Sequence, residues 1–322
     1  MMTRVTNSFL SFFVAVCSFA FLASNASPAQ HYQRAVTVTN TSKAGLAWPN
    51  GRSVDIDQYT HTGKVSWYYS WSPNPIPRTD LEFVPMLWGS DQAEEFNSTI
   101  EDMISDLGIT CALGMNEPQQ SGQSNLSPEQ GADIWKSYLE PLKSRNIRLG
   151  SPAPSSAPSG KTWIQDFLTA CNGSCTVDFI ALHWYDVDAD DFINYIKDFH
   201  DTFQRPIWVT EWDCQNFNDR NKQCSYDDIV SFMNKTQTFM DETDYVERYA
   251  WFGAMKNLQG VNSDNALMDS KGDINDLGGQ YIGDPNPQPG GVGNNAAMSI
   301  VCPSYLQWII PAASVLAMMA FS

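Results

Sequence analysis

Two glutamates stand where apolar runs stop. The run "GITCALGM", residues 108–115, is almost wholly apolar or small, and Asn116, Glu117 and Pro118 follow it at once. The run "PIWVT", residues 206–210, leads in the same way into Glu211, Trp212 and Asp213. Short apolar runs of this kind read as buried strands, so each carboxylate is carried to the mouth of a core. A single strand-end glutamate is most simply a group escaping to solvent. Two of them, 94 positions apart in a chain whose apolar runs end repeatedly in tryptophan, suit another task. Cleaving a glycosidic bond needs one carboxyl held protonated, to give the leaving oxygen its proton. It needs a second one ionised, to attack or to activate water. Indole faces suit the C–H faces of a sugar ring.

Residues that work together must be brought to one place by the elements that end in them. Eight apolar runs of strand length occur in order: "KAGLAW", "VSWYYSW", "EFVPMLW", "ITCALGM", "IRLGSPAP", "FIALHWY", "PIWVTEW" and "RYAWFGAM". Between several of them lie amphipathic stretches, "SDQAEEFNSTIEDMIS", "SPEQGADIWKSYLEPLKSRN", "DADDFINYIKDFHDTF" and "SYDDIVSFMNKTQTFMDE". The second opens with Ser127 as an N-cap and Pro128 at the first helical position. Strands alternating with helices predict parallel pairing through right-handed crossovers. At this length a single (β/α)8 TIM barrel is the expected α/β closure. An open doubly wound sheet is the alternative, weakened because no Gly-rich phosphate loop follows the first strand. In a barrel, active residues gather at the C-terminal strand ends. The ends here are Trp48, the stretch Trp67 to Trp71, Trp88, Asn116 with Glu117, His183 to Asp186, Glu211 to Asp213, and Trp251.

The rest of the chain bounds the setting. It has 322 residues, 43% of them hydrophobic, and a formal net charge of −17. A surface so acidic repels phosphate backbones, which argues against nucleic acid as a partner. Residues 1–26 read as a secretory signal peptide, with one positive charge, a short apolar run and small residues before cleavage. Residues 27–42 form a short N-terminal segment ahead of the catalytic domain, 43–283. A Pro/Gly/Asn linker, 284–295, then leads into an apolar tail, 296–322. That pattern reads as a GPI-anchor signal with attachment at Asn294 or Asn295. A retained membrane helix is the rival, opposed by Pro303, Gln307, Pro311 and the absence of a positive flank. A secreted protein held at the plasma membrane or cell wall is therefore expected.

Seven cysteines are encoded, and Cys17 and Cys302 leave with the removable ends. Two short-loop disulfides, Cys171–Cys175 and Cys214–Cys224, would leave Cys111 as a small hydrophobe in its strand. The spacings match no zinc pattern, so no metal and no cofactor are expected. Glycosylation sequons stand at Asn40, Asn97, Asn172 and Asn234. One at Asn125 is followed by Pro128 and is a poor acceptor.

"MNEP" and "TEW" look like the two signatures of the clan-A glycoside hydrolases. The ordered set "GLAWPNG", "WYYSWSP", "FVPMLWG", "LGMNEP", "ALHWYD", "WVTEWDC" and "YAWFGAM" resembles glycoside hydrolase family 128 over residues 43–283. That family consists of mostly fungal β-1,3-glucanases with a glycosyl hydrolase catalytic core. The resemblance implies a retaining double displacement, with Glu117 as acid/base and Glu211 as nucleophile. It implies that Asn116 holds the sugar 2-hydroxyl, that His183 and Tyr185 shape the reacting subsite and orient Glu211, and that Trp251 lies under the reacting sugar. Trp48, Tyr68, Tyr69, Trp71 and Trp88 are candidates for glucan stacking, although strand alternation must turn some of them toward the helices. A retaining pair should have its carboxyl groups about 5–5.5 Å apart, and Glu117 should have the raised pKa. The implied partner is a β-glucan polysaccharide or oligosaccharide, bound by a monomer. Other readings are a non-catalytic glucan-binding protein on the same barrel, a clan-A hydrolase of another β-glycan, and a structural wall mannoprotein.

Overall fold

The computed structural model describes residues 42–76 and 79–287. The expected signal peptide, the sequon at Asn40, most of the linker, and the tail with Asn294 and Asn295 lie outside those residues.

Each of the eight apolar runs forms a strand. They are β1 (Ala44–Ala47), β2 (Val65–Tyr69), β3 (Glu82–Phe83), β4 (Cys111–Leu113), β5 (Arg148–Gly150), β6 (Ile180–Asp186), β7 (Ile207–Cys214) and β8 (Val246–Trp251). Pairing is parallel throughout, in the orders β3-β2-β1-β8-β7-β6 and β4-β5. Two parallel bridges, Met86 with Leu113 and Gly150 with Phe179, join these groups. The strands thus form one ring, the (β/α)8 barrel that the alternation predicts. Strands of such a ring are covered on both faces, which is why they read as continuous apolar runs. All eight residues of β7 are buried. Alternation sorts neighbours: Trp67 and Tyr69 pack inside the barrel with Met86, Leu113 and Trp208, while Tyr68 joins the layer beneath the helices.

The helices are α1 (Ala93–Leu107), α2 (Pro128–Ile134), α3 (Pro158–Cys171), α4 (Ala189–Phe203), α5 (Tyr226–Glu242) and α6 (Asp276–Ile282). Ser127 caps α2 in a reciprocal capping box with Gln130, and Ser225 does the same for α5 with Asp228. The helix that α2 begins runs on through a π turn at Trp135–Leu139 and a 3-10 turn at Glu140–Arg145. Among the described residues β1 and β2 are followed by no α-helix. Sequence reasoning missed α3 and α6. The first opens inside a Pro/Ser/Gly stretch that reads as loop, although Trp163, Ile164, Phe167 and Cys171 give it a buried face. The second holds two glycines, and a Cβ on Gly278 would come within 2.3 Å of the Leu267 carbonyl oxygen. Tight packing there demands a residue that propensity disfavours in helices.

Disulfides link Cys171 to Cys175 and Cys214 to Cys224, and the Cys111 thiol is buried. The second bridge ties the end of β7 to the entrance of α5. Asn97 and Asn172 are exposed, whereas Asn234 is half-buried within α5.

Candidate active site

Past β4 the chain stays extended. Asn116 N–H donates to the Trp88 carbonyl at 2.9 Å and Glu117 N–H to the Ala153 carbonyl at 2.8 Å. Glu117 then takes a left-handed conformation, φ 38°, which is uncommon for a residue with a side chain. Pro118 follows and closes the strand. Glu211 arrives differently. The β6–β7 ladder pairs Leu182 with Val209 and then His183 with Glu211, so Thr210 is an extra residue. Such a bulge re-aims the side chain after it, and Tyr69 braces it from inside the barrel by donating from its hydroxyl to the Thr210 carbonyl at 2.9 Å.

The two carboxylates meet over one histidine. His183 Nδ1 lies 3.0 Å from Glu117 Oε1 and 3.4 Å from Glu211 Oε2. One donor atom from each of the three groups lies within 4.8 Å of the others. Glu211 is gripped on both oxygens: Trp71 Nε1 donates to Oε1 at 2.7 Å and the Tyr185 hydroxyl donates to Oε2 at 2.5 Å. Trp71 is itself left-handed, φ 52°. Its carbonyl accepts from Gln92 Nε2 at 3.1 Å, and Gln92 Oε1 accepts from Trp88 N–H at 3.3 Å. Strained backbone at both a carboxylate and its donor is the kind that surrounding structure must hold in place. Asn116 donates from Nδ2 to Gln123 Oε1 at 3.1 Å, and its buried Oδ1 has no partner among the described residues. That leaves an acceptor for a ligand hydroxyl. Glu117, His183 and Glu211 could also hold a divalent cation, but Trp71 and Tyr185 already supply hydrogen bonds to both Glu211 oxygens.

Burial pushes the Glu211 carboxyl up; the His183 charge and the Tyr185 and Trp71 donors oppose that, while the Glu117 charge adds to it. For His183, burial works against charge, yet Glu211 and Glu117 outweigh it and raise the imidazole above its usual value. Burial, then Glu211, drives the Asp213 carboxyl well above the carboxylate range. Neither Asp213 oxygen has a hydrogen-bond partner among the described residues. Both of these raised carboxyls belong to β7, a strand buried along its whole length.

The aromatic expectations divide. Trp71 is half-buried and grips Glu211, and Trp88 is half-buried against the barrel interior. Trp48, Tyr68, Tyr69 and Trp251 are fully buried and offer no ring face to a ligand. Trp48 packs edge-on to Tyr59, and Tyr68 packs on Phe83. Trp251 donates to the Asn265 carbonyl and meets Trp212 edge-on beneath the helices. The reason is alternation plus closure: a residue one place along a barrel strand faces the helices, and deeper ones fill the interior. Sequence reasoning also missed the walls. A cleft of about 1130 Å³ lies over the carboxylates, lined by loops after β4 to β8, with Gln120, Ser155, Phe217, Arg220, Phe252 and Asn262 among its residues. Their one signal was the cysteine-bounded stretch "CQNFNDRNKQC".

The model of the glycosyl hydrolase catalytic core family matches residues 45–281. A curated relative, the alkali-sensitive linkage protein 1 of Schizosaccharomyces pombe, is 33% identical over 248 residues, 75% of this chain and 44% of that protein. The chain therefore spans less than half the length of that relative. Solved structures that share the fold include three β-1,3-glucanases. The glycoside hydrolase family 128 (subgroup III) curdlan-specific exo-β-1,3-glucanase of Blastomyces gilchristii, in complex with glucose, is 31% identical with TM-score 0.61, covering 76% of this chain and 99% of that one. The subgroup V exo-β-1,3-glucanase of Cryptococcus neoformans is 31% identical with TM-score 0.64, covering 75% and 99%. A mutant of the subgroup I endo-β-1,3-glucanase of Amycolatopsis mediterranei, in complex with laminarihexaose, is 26% identical with TM-score 0.60, covering 76% and 99%.

Proposed function

The chain belongs to the glycosyl hydrolase catalytic core family, and we propose that it is a β-1,3-glucanase acting by retaining double displacement, with Glu211 as nucleophile and Glu117 as acid/base. One observation carries this reading: the carboxylates of Glu117 and Glu211 present oxygens within 4.8 Å of each other. That spacing favours a retaining pair, for which about 5–5.5 Å is usual, over an inverting pair, which keeps about 6.5–9.5 Å open for water. All three structural neighbours are β-1,3-glucanases, which supports the β-1,3-linkage.

The surroundings divide the two roles. Glu211 sits deep and accepts hydrogen bonds on both oxygens. These stabilise its charge and aim it, as a nucleophile requires. Glu117 stands nearer the rim, its side chain 12% exposed against 6% for Glu211. From there it can reach the leaving oxygen and, later, incoming water. Glu211 attacks the anomeric carbon as Glu117 protonates the leaving oxygen, and a glycosyl ester on Glu211 results. Glu117 then takes a proton from water, whose oxygen attacks the anomeric carbon and displaces Glu211, leaving Glu117 protonated and Glu211 ionised as at the start. His183 bridges both groups and, with its raised imidazole, balances their negative charge between steps. The free Oδ1 of Asn116 accepts a hydroxyl of the reacting sugar.

Incubation with laminarin should release new reducing ends, and NMR should find the β-anomer formed first. No new reducing ends would remove the hydrolase reading and leave a glucan-binding protein. An α-anomer formed first would remove the retaining mechanism.

The two ends of the sequence support a further part of the proposal, a secreted, lipid-anchored protein that remodels wall glucan; the exposed sequons at Asn97 and Asn172 support its glycosylation there. Treating cells with a phosphatidylinositol-specific phospholipase should release it; retention on the cells would count against the anchor.

A further inference from the structure

The aromatic platforms expected from sequence are mostly buried, so the cleft must meet sugar faces with something else. Four aromatic residues line it: Trp184, Tyr185, Phe217 and Phe252. Trp184 and Phe252 are 7% and 4% exposed. The Tyr185 hydroxyl is taken by Glu211. Phe217 alone among them is open, 41% exposed. Its ring meets Tyr185 edge-on, with centroids 5.2 Å apart, so it stands one side chain away from the group that grips Glu211.

An exposed phenylalanine normally lies on a mobile loop, where it would lose entropy on binding. This one does not. The loop from 215 to 223 is closed at both ends by the Cys214–Cys224 disulfide. Asn216 and Gln223 clamp its base just inside the disulfide, through Asn216 N–H to Gln223 Oε1 at 3.1 Å and Gln223 Nε2 to the Asn216 carbonyl at 2.7 Å. Asn262 fixes it to the opposite loop, donating from N–H to Gln215 Oε1 at 2.7 Å and from Nδ2 to the Cys224 carbonyl at 3.0 Å.

We infer that Phe217, preorganised by this stapled loop, is the stacking platform for a glucose unit next to the one held at Glu211. The inference deepens the glucanase reading and rests on it. It also explains why an apolar ring is left in water: its partner is a ligand, bound in continuity with the catalytic cleft.

The test is binding without turnover. Laminarihexaose is titrated calorimetrically into Glu211→Gln, and into the same protein carrying Phe217→Ala, Phe217→Leu or Phe217→Trp. Thermal melting checks that each is folded. Phe217→Ala should weaken Kd about tenfold, which corresponds to about 1.4 kcal/mol. Phe217→Trp should restore it, and Phe217→Leu, apolar but without a flat face, should not. Unchanged affinity in Phe217→Ala, full recovery by Phe217→Leu, or no binding of laminarihexaose to Glu211→Gln would each overturn the platform. Binding that responds as expected, beside a wild-type protein that releases no reducing ends, would uphold the platform and remove only the hydrolase reading.

Discussion

The two ends of the barrel treat charge in opposite ways. At the N-terminal ends of the strands, three carboxylates each meet a cation. Arg148 pairs with Glu247 at 2.9 Å, Arg248 with Glu82, and buried Lys64 with Asp241 at 2.7 Å. Aromatic groups complete the set: Trp208 donates to Glu247 at 2.9 Å, and Arg248 lies 4.6 Å over the Trp208 ring. At the C-terminal ends, carboxylates face each other across His183, and Asp213 has no hydrogen-bond partner among the described residues. One end neutralises its charges and stabilises the fold. The other keeps charges in tension, which costs stability and supplies reactivity.

Substitutions at the two ends should therefore fail in different ways. The largest effect belongs to the mouth: Glu211→Gln should lower kcat by at least about 10⁴-fold while the thermal midpoint holds or rises. A variant that kept a tenth of the activity would take the nucleophile away from Glu211. Next comes the base of the barrel. Asp241→Asn removes the carboxylate facing buried Lys64 and should cost about 3–5 kcal/mol in urea unfolding, with kcat of the folded fraction unchanged. Loss of activity without loss of stability would erase the distinction between the ends.

Smaller effects sharpen it. Tyr185→Phe deletes a hydrogen bond to a charged oxygen, worth about 1.5–3 kcal/mol. It should lower kcat/KM about 10–100-fold, with little change in unfolding midpoint. Asp213 gives the finest test. Its folded carboxyl is raised by burial, so between the unfolded value near 3.9 and the folded one the native state holds a proton that the unfolded chain has lost. Stability then falls as pH rises through that window. Asp213→Asn lacks this loss. Its advantage over the wild type should be near zero at pH 4 and grow toward pH 7, by at most about 1.4 kcal/mol per pH unit. A pH-independent difference in unfolding free energy would contradict a raised Asp213.

Much of this was legible in one dimension. Apolar run length marks a strand buried on both faces, so all eight strands were found. Asn116, Glu117 and Glu211 stand out in the sequence because a polar residue ending such a run has few structural reasons to be there, and the fold brings all three to one cleft. Cysteines close in sequence have few other partners, so both disulfides were found. Helices α3 and α6 were not: proline, serine and glycine hide a helix whose stability comes from packing.

What sequence alone determined, then, is the type and order of elements and the identity of the groups at their ends, because period and polarity are local properties. Tertiary structure decided which way those groups point. Thr210, one extra residue in a ladder, turns Glu211 into the mouth, and nothing in its type announces a bulge. Trp71 became a hydrogen-bond donor to Glu211 and Trp251 a core residue, though both are tryptophans at strand ends. The side of a strand on which a ring lands depends on register, and register is set only when all eight strands close into one barrel.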